Sequence, residues 1–186
     1  MRDPLDRLLS AYKFWGVLHN PAPSKPTFET WLKRKRGEAA AHPLRTQPAN
    51  FASQVGRPNF AMWKFSGADP ALDPCGGGGG AAADACARAA FARALDTLER
   101  FHAVLPMEWY SYTPEVLRTL LGWTQLDEVH VVPSGKVQAT ATQAEVDEQT
   151  YARLWEENRF DYLLYAWARR VFLERLNCGG LLAGGV

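Results

Sequence analysis

The sequence predicts an α/β fold that is rich in helix. Three observations carry that expectation. A helical pattern ending near Arg100 runs straight into the short apolar stretch "FHAVLP", and a helix opened by Thr113-Pro114 follows. Helix, buried strand, helix is an α/β layer signature. A second short apolar run, Val129 to Val132, supplies another strand. Against these stand five helical patterns, and a sheet needs more than two strands. Either the protein is mainly helical, or strands are missing from the chain.

The chain has 186 residues, enough for one domain with a modest core. It is 47% hydrophobic and 22% charged, which is the composition of a globular protein. With 21 basic and 20 acidic residues the formal charge is +1, which argues against a dedicated nucleic-acid binder. Seven tryptophans and nine phenylalanines are a heavy aromatic load, best spent on a core. Cys75, Cys86 and Cys178 lack metal-like spacing, and their odd number gives no disulfide framework. His19, His42, His102 and His130 are scattered and form no metal pattern. No apolar run is long enough to span a membrane, and no signal-peptide pattern follows Met1.

The first helix is marked by Asp3 as cap, Pro4 at the first helical position and Asp6 in the first turn. Leu5, Leu8, Leu9, Tyr12 and Trp15 form its apolar face, leaving Arg7 on the surface side. It fades by His19-Asn20, before the connector "NPAPSKPT". Thr27 caps a second helix with Phe28, Trp31 and Leu32 on its apolar side. The basic run Lys33 to Arg36 follows, and Gly37 ends the helix. Residues 39–60 show no clear period and read as a loop packed over the core. Five consecutive glycines at 76–80 confer flexibility, and no lysine and hydroxyl stand at the offsets of a phosphate loop. A helix then runs from Ala81 or Asp84 to Arg100, and Phe101 to Leu105 is a strand.

Val116, Leu117, Leu120 and Leu121 carry the next helix, ended by Gly122. After a turn at Ser134-Gly135, a long helical region starts at Thr142 and breaks at Asn158. Trp155, Phe160, Tyr165, Trp167 and Phe172 are core positions at helical spacing. The chain divides into a domain over 1–176, with a flexible Gly/Ala-rich insert around 75–83, and a disordered tail over 177–186.

The opening "MRDPLDRLLSAYKFW" also carries a chemical reading. Arg2 stands just before a helix whose first amides point outward and attract phosphate, and its planar fork suits phosphate oxygens. Ser10 lies eight residues later, about two turns along. Together they make a two-point clamp for a phosphate group, set against ordinary surface roles for both. "RDPLDRLLSAY" resembles the 3'-phosphate motif of sulfotransferases that use 3'-phosphoadenosine 5'-phosphosulfate (PAPS), in the form closest to the Golgi-type carbohydrate enzymes. "NFASQVGRPNFAMWKFSG", the region ending in Leu121-Gly122-Trp123, and Asn158, Asp161, Leu164 and Tyr165 resemble later parts of that family.

The resemblance implies a partial three-layer, P-loop-like sulfotransferase fold whose N-terminal strands and 5'-phosphosulfate loop are missing. It implies a transferase moving a sulfonyl group from PAPS to a hydroxyl of a carbohydrate or glycolipid, in the Golgi lumen, anchored to the membrane through a segment ahead of Met1. Arg2 and Ser10 would bind the cofactor, with Lys136 of "VPSGKVQ" on a basic loop closing over it. The catalytic base is unassigned. Glu108, at the family's acidic position, orients a hydroxyl or else caps the next helix. The isolated chain is expected to be inactive, being a fragment or a degenerate relative. The alternative is a mainly helical interaction protein without catalysis. A nucleotide kinase is disfavoured by the absent phosphate loop.

Overall fold

The computed structural model describes residues 1–18, 22–24, 26–41, 56–68, 75, 80–125 and 146–178. Among them there is helix and no strand, so the described part of the chain is all-helical. The α/β expectation is overturned, and with it the partial three-layer, P-loop-like sulfotransferase fold.

Helix α1 spans Pro4–Ala11 and α2 spans Phe28–Ala41. Helix α3 is Phe60–Phe65 and α4 is Ala81–Glu99. A 3-10 segment, Met107–Tyr112, leads into α5, Thr113–Leu121. Helix α6, Glu148–Glu157, is followed by α7, Arg159–Cys178. The segment predicted as a strand, 101–105, carries no strand, because among the described residues no other strand stands beside it to form a ladder. The run Val129 to Val132, the turn at Ser134-Gly135 and the helix start at Thr142 lie outside the described residues.

Local chemistry explains most boundaries. The Asp3 carboxylate accepts from the amides of Leu5 at 2.9 Å and Asp6 at 3.2 Å, opening α1. At Tyr12 the α-helical bonding widens to π, over Tyr12–Leu18. Helix α2 passes through Gly37, which was expected to end it, because that position is helical and open to solvent. Gly122 ends α5 in the left-handed conformation at φ 66°, which glycine adopts without strain. Asp147 caps α6, its carboxylate accepting from the Thr150 amide at 2.8 Å. Helix α4 starts at Ala81, so part of the Gly/Ala-rich insert is helical, and α7 continues to Cys178. The rest of the tail, 179–186, lies outside the described residues.

Three apolar clusters hold the helices together. In the first, Leu5, Leu8 and Leu9 of α1 meet Phe28, Trp31 and Leu32 of α2 and Leu154 of α6. In the second, Ala90, Ala94 and Leu98 recur every four residues along α4 and pack on Met62 of α3 and Phe160 and Leu164 of α7. The two alanines are fully buried, and their small size lets α3 approach α4 closely. The third joins Val116 of α5 to Phe172 and Leu176 of α7. Trp155, expected in the core, is 46% exposed and stacks on Tyr162 instead. Cys75 and Cys86 form a disulfide that ties residue 75 to α4, and Cys178 is free and exposed. The sequence reading missed that bridge because ten residues, the glycine run among them, lie between the pair. No described helix is long and apolar enough to cross a membrane.

Two predictions follow from this packing. A Cβ on Gly16 would stand 2.6 Å from Tyr12 Cδ2 and 2.8 Å from Trp31 Cδ1. The Trp31 ring is fully buried and the Tyr12 hydroxyl donates to the Pro26 carbonyl, so neither ring moves freely. Gly16→Ala therefore lowers unfolding stability by roughly 2 kcal/mol in urea titration. Separately, hydrogen bonds from Thr150 hold the Asp147 carboxyl below its ordinary range. A depressed carboxyl contributes stability above its unfolded-state value and loses it as pH falls through the lowered one. Asp147→Ala lowers Tm at neutral pH, and the gap to the parent closes under strong acid.

Candidate functional site

The site grows from a junction between two helix starts. Four amides at the head of any helix lack intrahelical partners. Here α3 and α7 meet head to head and each supplies the other's acceptor. The Asp161 carboxylate, in the first turn of α7, accepts from the α3 amides of Ala61 at 3.0 Å and Met62 at 2.8 Å. In return, the Asn59 side-chain oxygen, just before α3, accepts from the α7 amides of Phe160 at 3.0 Å and Asp161 at 3.2 Å.

Asn59 reaches that position in the left-handed region, at φ 52° and ψ 41°, which asparagine tolerates better than most residues. Its side-chain amide donates to the Glu157 carbonyl at 2.9 Å, and its backbone amide donates to Asn158 Oδ1 at 3.1 Å. Asn158 is itself buried and donates to the Leu154 carbonyl at 2.8 Å.

Arg7 of α1 comes to the same junction. Its guanidinium stands 3.7 Å from Asp161 Oδ2 and 4.9 Å above the Phe60 ring. Burial pushes the Asp161 carboxyl up from its ordinary range, while Arg7 and the two α3 amides pull it back. Burial likewise pulls the Arg7 guanidinium down, and Asp161 holds it up. The surface role expected for Arg7 is corrected. Helix α1 packs on α2 with its leucine stripe and against α7 on another flank, so an off-stripe position is covered too.

Beside the junction lies a cleft of about 430 Å³. One side is the entrance to α1, with Met1, Arg2 and Pro4; Phe60, Lys64 and Phe65 of α3 form another. Leu98, Phe101 and residues 103–105 close it, and Arg7 and Asp161 lie at its floor. Its volume is that of a ligand site. The wall is mainly apolar with cations on it, and Phe101, 47% exposed, extends the apolar surface outward. No serine, cysteine or histidine lines it, and both Asp161 oxygens already accept α3 amides. Among the described residues no cluster of three His, Cys, Asp or Glu could hold a metal.

Of the residues predicted to bind a cofactor, Arg2 lines this cleft, Ser10 does not, and Lys136 lies outside the described residues. Glu108 serves structure: its Oε1 accepts from the Asp3 amide at 3.0 Å, and it bonds the Tyr165 side chain. Burial, then Glu108, pushes the Tyr165 hydroxyl upward. Arg36 of the basic run is paired with Glu157 at 2.7 Å, and its Nε donates to the Gly56 carbonyl at 3.0 Å. The sequence reading passed over Asn59. Its signal was a capping residue directly before the apolar run "FAMW".

Comparison of the chain with protein-family models, with curated proteins and with solved structures gives no match in any of the three. The sulfotransferase resemblance is therefore corrected, together with the PAPS cofactor, the sulfonyl-transfer activity and the role in carbohydrate sulfation that followed from it. The physical reason is that the described residues hold no sheet: the resemblance needs Arg2 at the end of a central strand, and Arg2 here precedes α1 with no strand before it or among the described residues.

The junction predicts its own mutational pattern. Asp161→Asn replaces an acceptor with a donor facing α3 amides and strips Arg7 of its counter-charge; it costs about 3 kcal/mol in urea unfolding. Asn59→Ala loses a cap and leaves alanine in a left-handed position, at a cost of about 2 kcal/mol. Because both residues serve one junction, the double variant loses less than the sum.

Proposed function

We propose that this chain works by binding, as a helical interaction module that receives an extended, acidic and apolar segment of a partner protein in the cleft beside α1 and α3. The observation that carries this reading is the cleft wall itself. It joins apolar side chains from four parts of the fold, places Arg2 and Lys64 among them, and leaves Phe101 exposed at its lip. Apolar surface of this kind, edged by charge, is characteristic of interaction sites. The polar groups on the wall are cations rather than neutral amides or hydroxyls, which favours an acidic peptide over a neutral sugar. Phe101 also packs edge-to-face on Phe65, so an incoming side chain meets a prebuilt aromatic pair. We further propose an oxidising compartment, of which the Golgi lumen is one, since disulfides such as Cys75–Cys86 persist there.

The test is selection of a displayed peptide library on the intact chain. Peptides that alternate apolar and acidic residues should be enriched. Phe101→Glu should weaken them by about tenfold or more while the circular dichroism spectrum stays unchanged. No enrichment, or enriched peptides that ignore Phe101→Glu, would overturn the proposal.

A further inference from the structure

A second groove lies between α2 and α6, and it shares no lining residue with the cleft. Its volume is about 360 Å³, and Glu29, Thr30, Leu32, Lys33 and Arg36 of α2 line it with Arg153 of α6. Positions 29, 33 and 36 fall on one face of α2, at spacings of four and three residues. Charged rungs cross the groove at both ends of that face. At one end Glu29 Oε1 accepts from the Thr150 hydroxyl at 2.9 Å and from Arg153 Nη2 at 3.2 Å. At the other, Arg36 Nη2 donates to Glu157 Oε2 at 2.7 Å. Arg153 Nη1 also reaches Glu157 Oε1, at 3.4 Å, so one arginine serves both carboxylates.

The charges in this ladder do not balance. Lys33, Arg36 and Arg153 stand against the carboxylates of Glu29 and Glu157. Both carboxylates are taken by the arginines. Lys33 lies one turn from each rung and is exposed, and its ammonium makes no hydrogen bond or ion pair among the described residues. The groove therefore holds a place for one more negative group beside Lys33.

We propose that this place takes an acidic side chain of a partner protein, its carboxylate bonded to Lys33 and flanked by Arg36 and Arg153. The chemistry of the groove selects that occupant. An ion pair at an exposed lysine is weak, so a small free anion is held poorly and the carboxylate must be carried by a larger molecule. A densely charged polymer, such as a nucleic acid or a sulfated glycan, brings further negative charge onto Glu29 and Glu157. A protein segment brings single carboxylates spaced by neutral amides. A bilayer surface is bound by inserting apolar side chains, and Phe28, Trp31 and Leu32 of α2 are buried. This contact lies outside the cleft and stands on other residues.

The probe is a fluorescein-labelled peptide of about nine residues alternating glutamate with glycine, titrated into the intact chain at low salt and followed by anisotropy. It has no apolar side chain to offer the cleft. Lys33→Glu should weaken binding about tenfold and Lys33→Gln about threefold, with circular dichroism spectra unchanged. Arg93→Glu, which reverses an exposed charge on α4, should leave binding within about twofold. Equal losses from Lys33→Glu and Arg93→Glu mean that the peptide reads only the general field, and they overturn the site, as does no binding at all. Heparin fragments that bind more tightly than the peptide, and lose that binding with Lys33→Glu, overturn the acidic protein segment as occupant. None of these results touches the cleft, whose own test is Phe101→Glu.

Discussion

The structure hinges on the exchange of caps between α3 and α7. Helix α3 is Phe60–Phe65, too short to be stable by itself. It persists because Asp161 receives its first amides and because Met62 is sealed between α4 and α7. Helix α7 in turn begins where it does because Asn59 receives its amides. A buried carboxylate is costly in an apolar interior. Two amides, the positive ends of helix dipoles and the Arg7 guanidinium together offset that cost.

The cleft follows from that junction. Arg7 lies at its floor, carried there by α1, and Phe60 and Lys64 stand on its wall because α3 is held by its head. The entrance to α1 is secured separately. Glu108 accepts the Asp3 amide and bonds Tyr165, so the 3-10 segment, α1 and α7 share one carboxylate. The two titratable groups at the floor, Arg7 and Asp161, are engaged with each other, and the Asp161 oxygens also accept the α3 amides. The cleft presents apolar surface with cations on it, the features that carry recognition at interaction sites.

Helices marked by strong local chemistry were legible in the sequence. Asp3 with Pro4, the Gly122 stop and the break at Asn158 stand where capping rules put them; Thr113 does not cap α5 as expected, because the 3-10 segment runs straight into the helix and Thr113 is already its first residue, with Tyr112 at the cap position. The leucine stripe of α1 and the Phe28, Trp31 and Leu32 face of α2 are buried as their periodicity required. Arg2 was singled out and does line the cleft, though its neighbours there are apolar side chains and Lys64 rather than Ser10.

Composition and periodicity thus determined most of the helices, much of their apolar faces and some of their ends, because each depends on residues within a turn or two of one another. Whether "FHAVLP" becomes a strand depends on having neighbours to pair with, and pairing is a long-range property that its own residues do not encode. Tertiary structure alone decided that this segment meets Met1 at Leu105, Arg175 at His102 and Phe65 at Phe101 instead of a strand among the described residues. It decided too that Arg7 turns inward, since the exposure of a helix flank depends on what packs against it. And it joined Asn59 to Asp161 across a separation of 102 residues, where no local rule links an asparagine before one helix to an aspartate inside another.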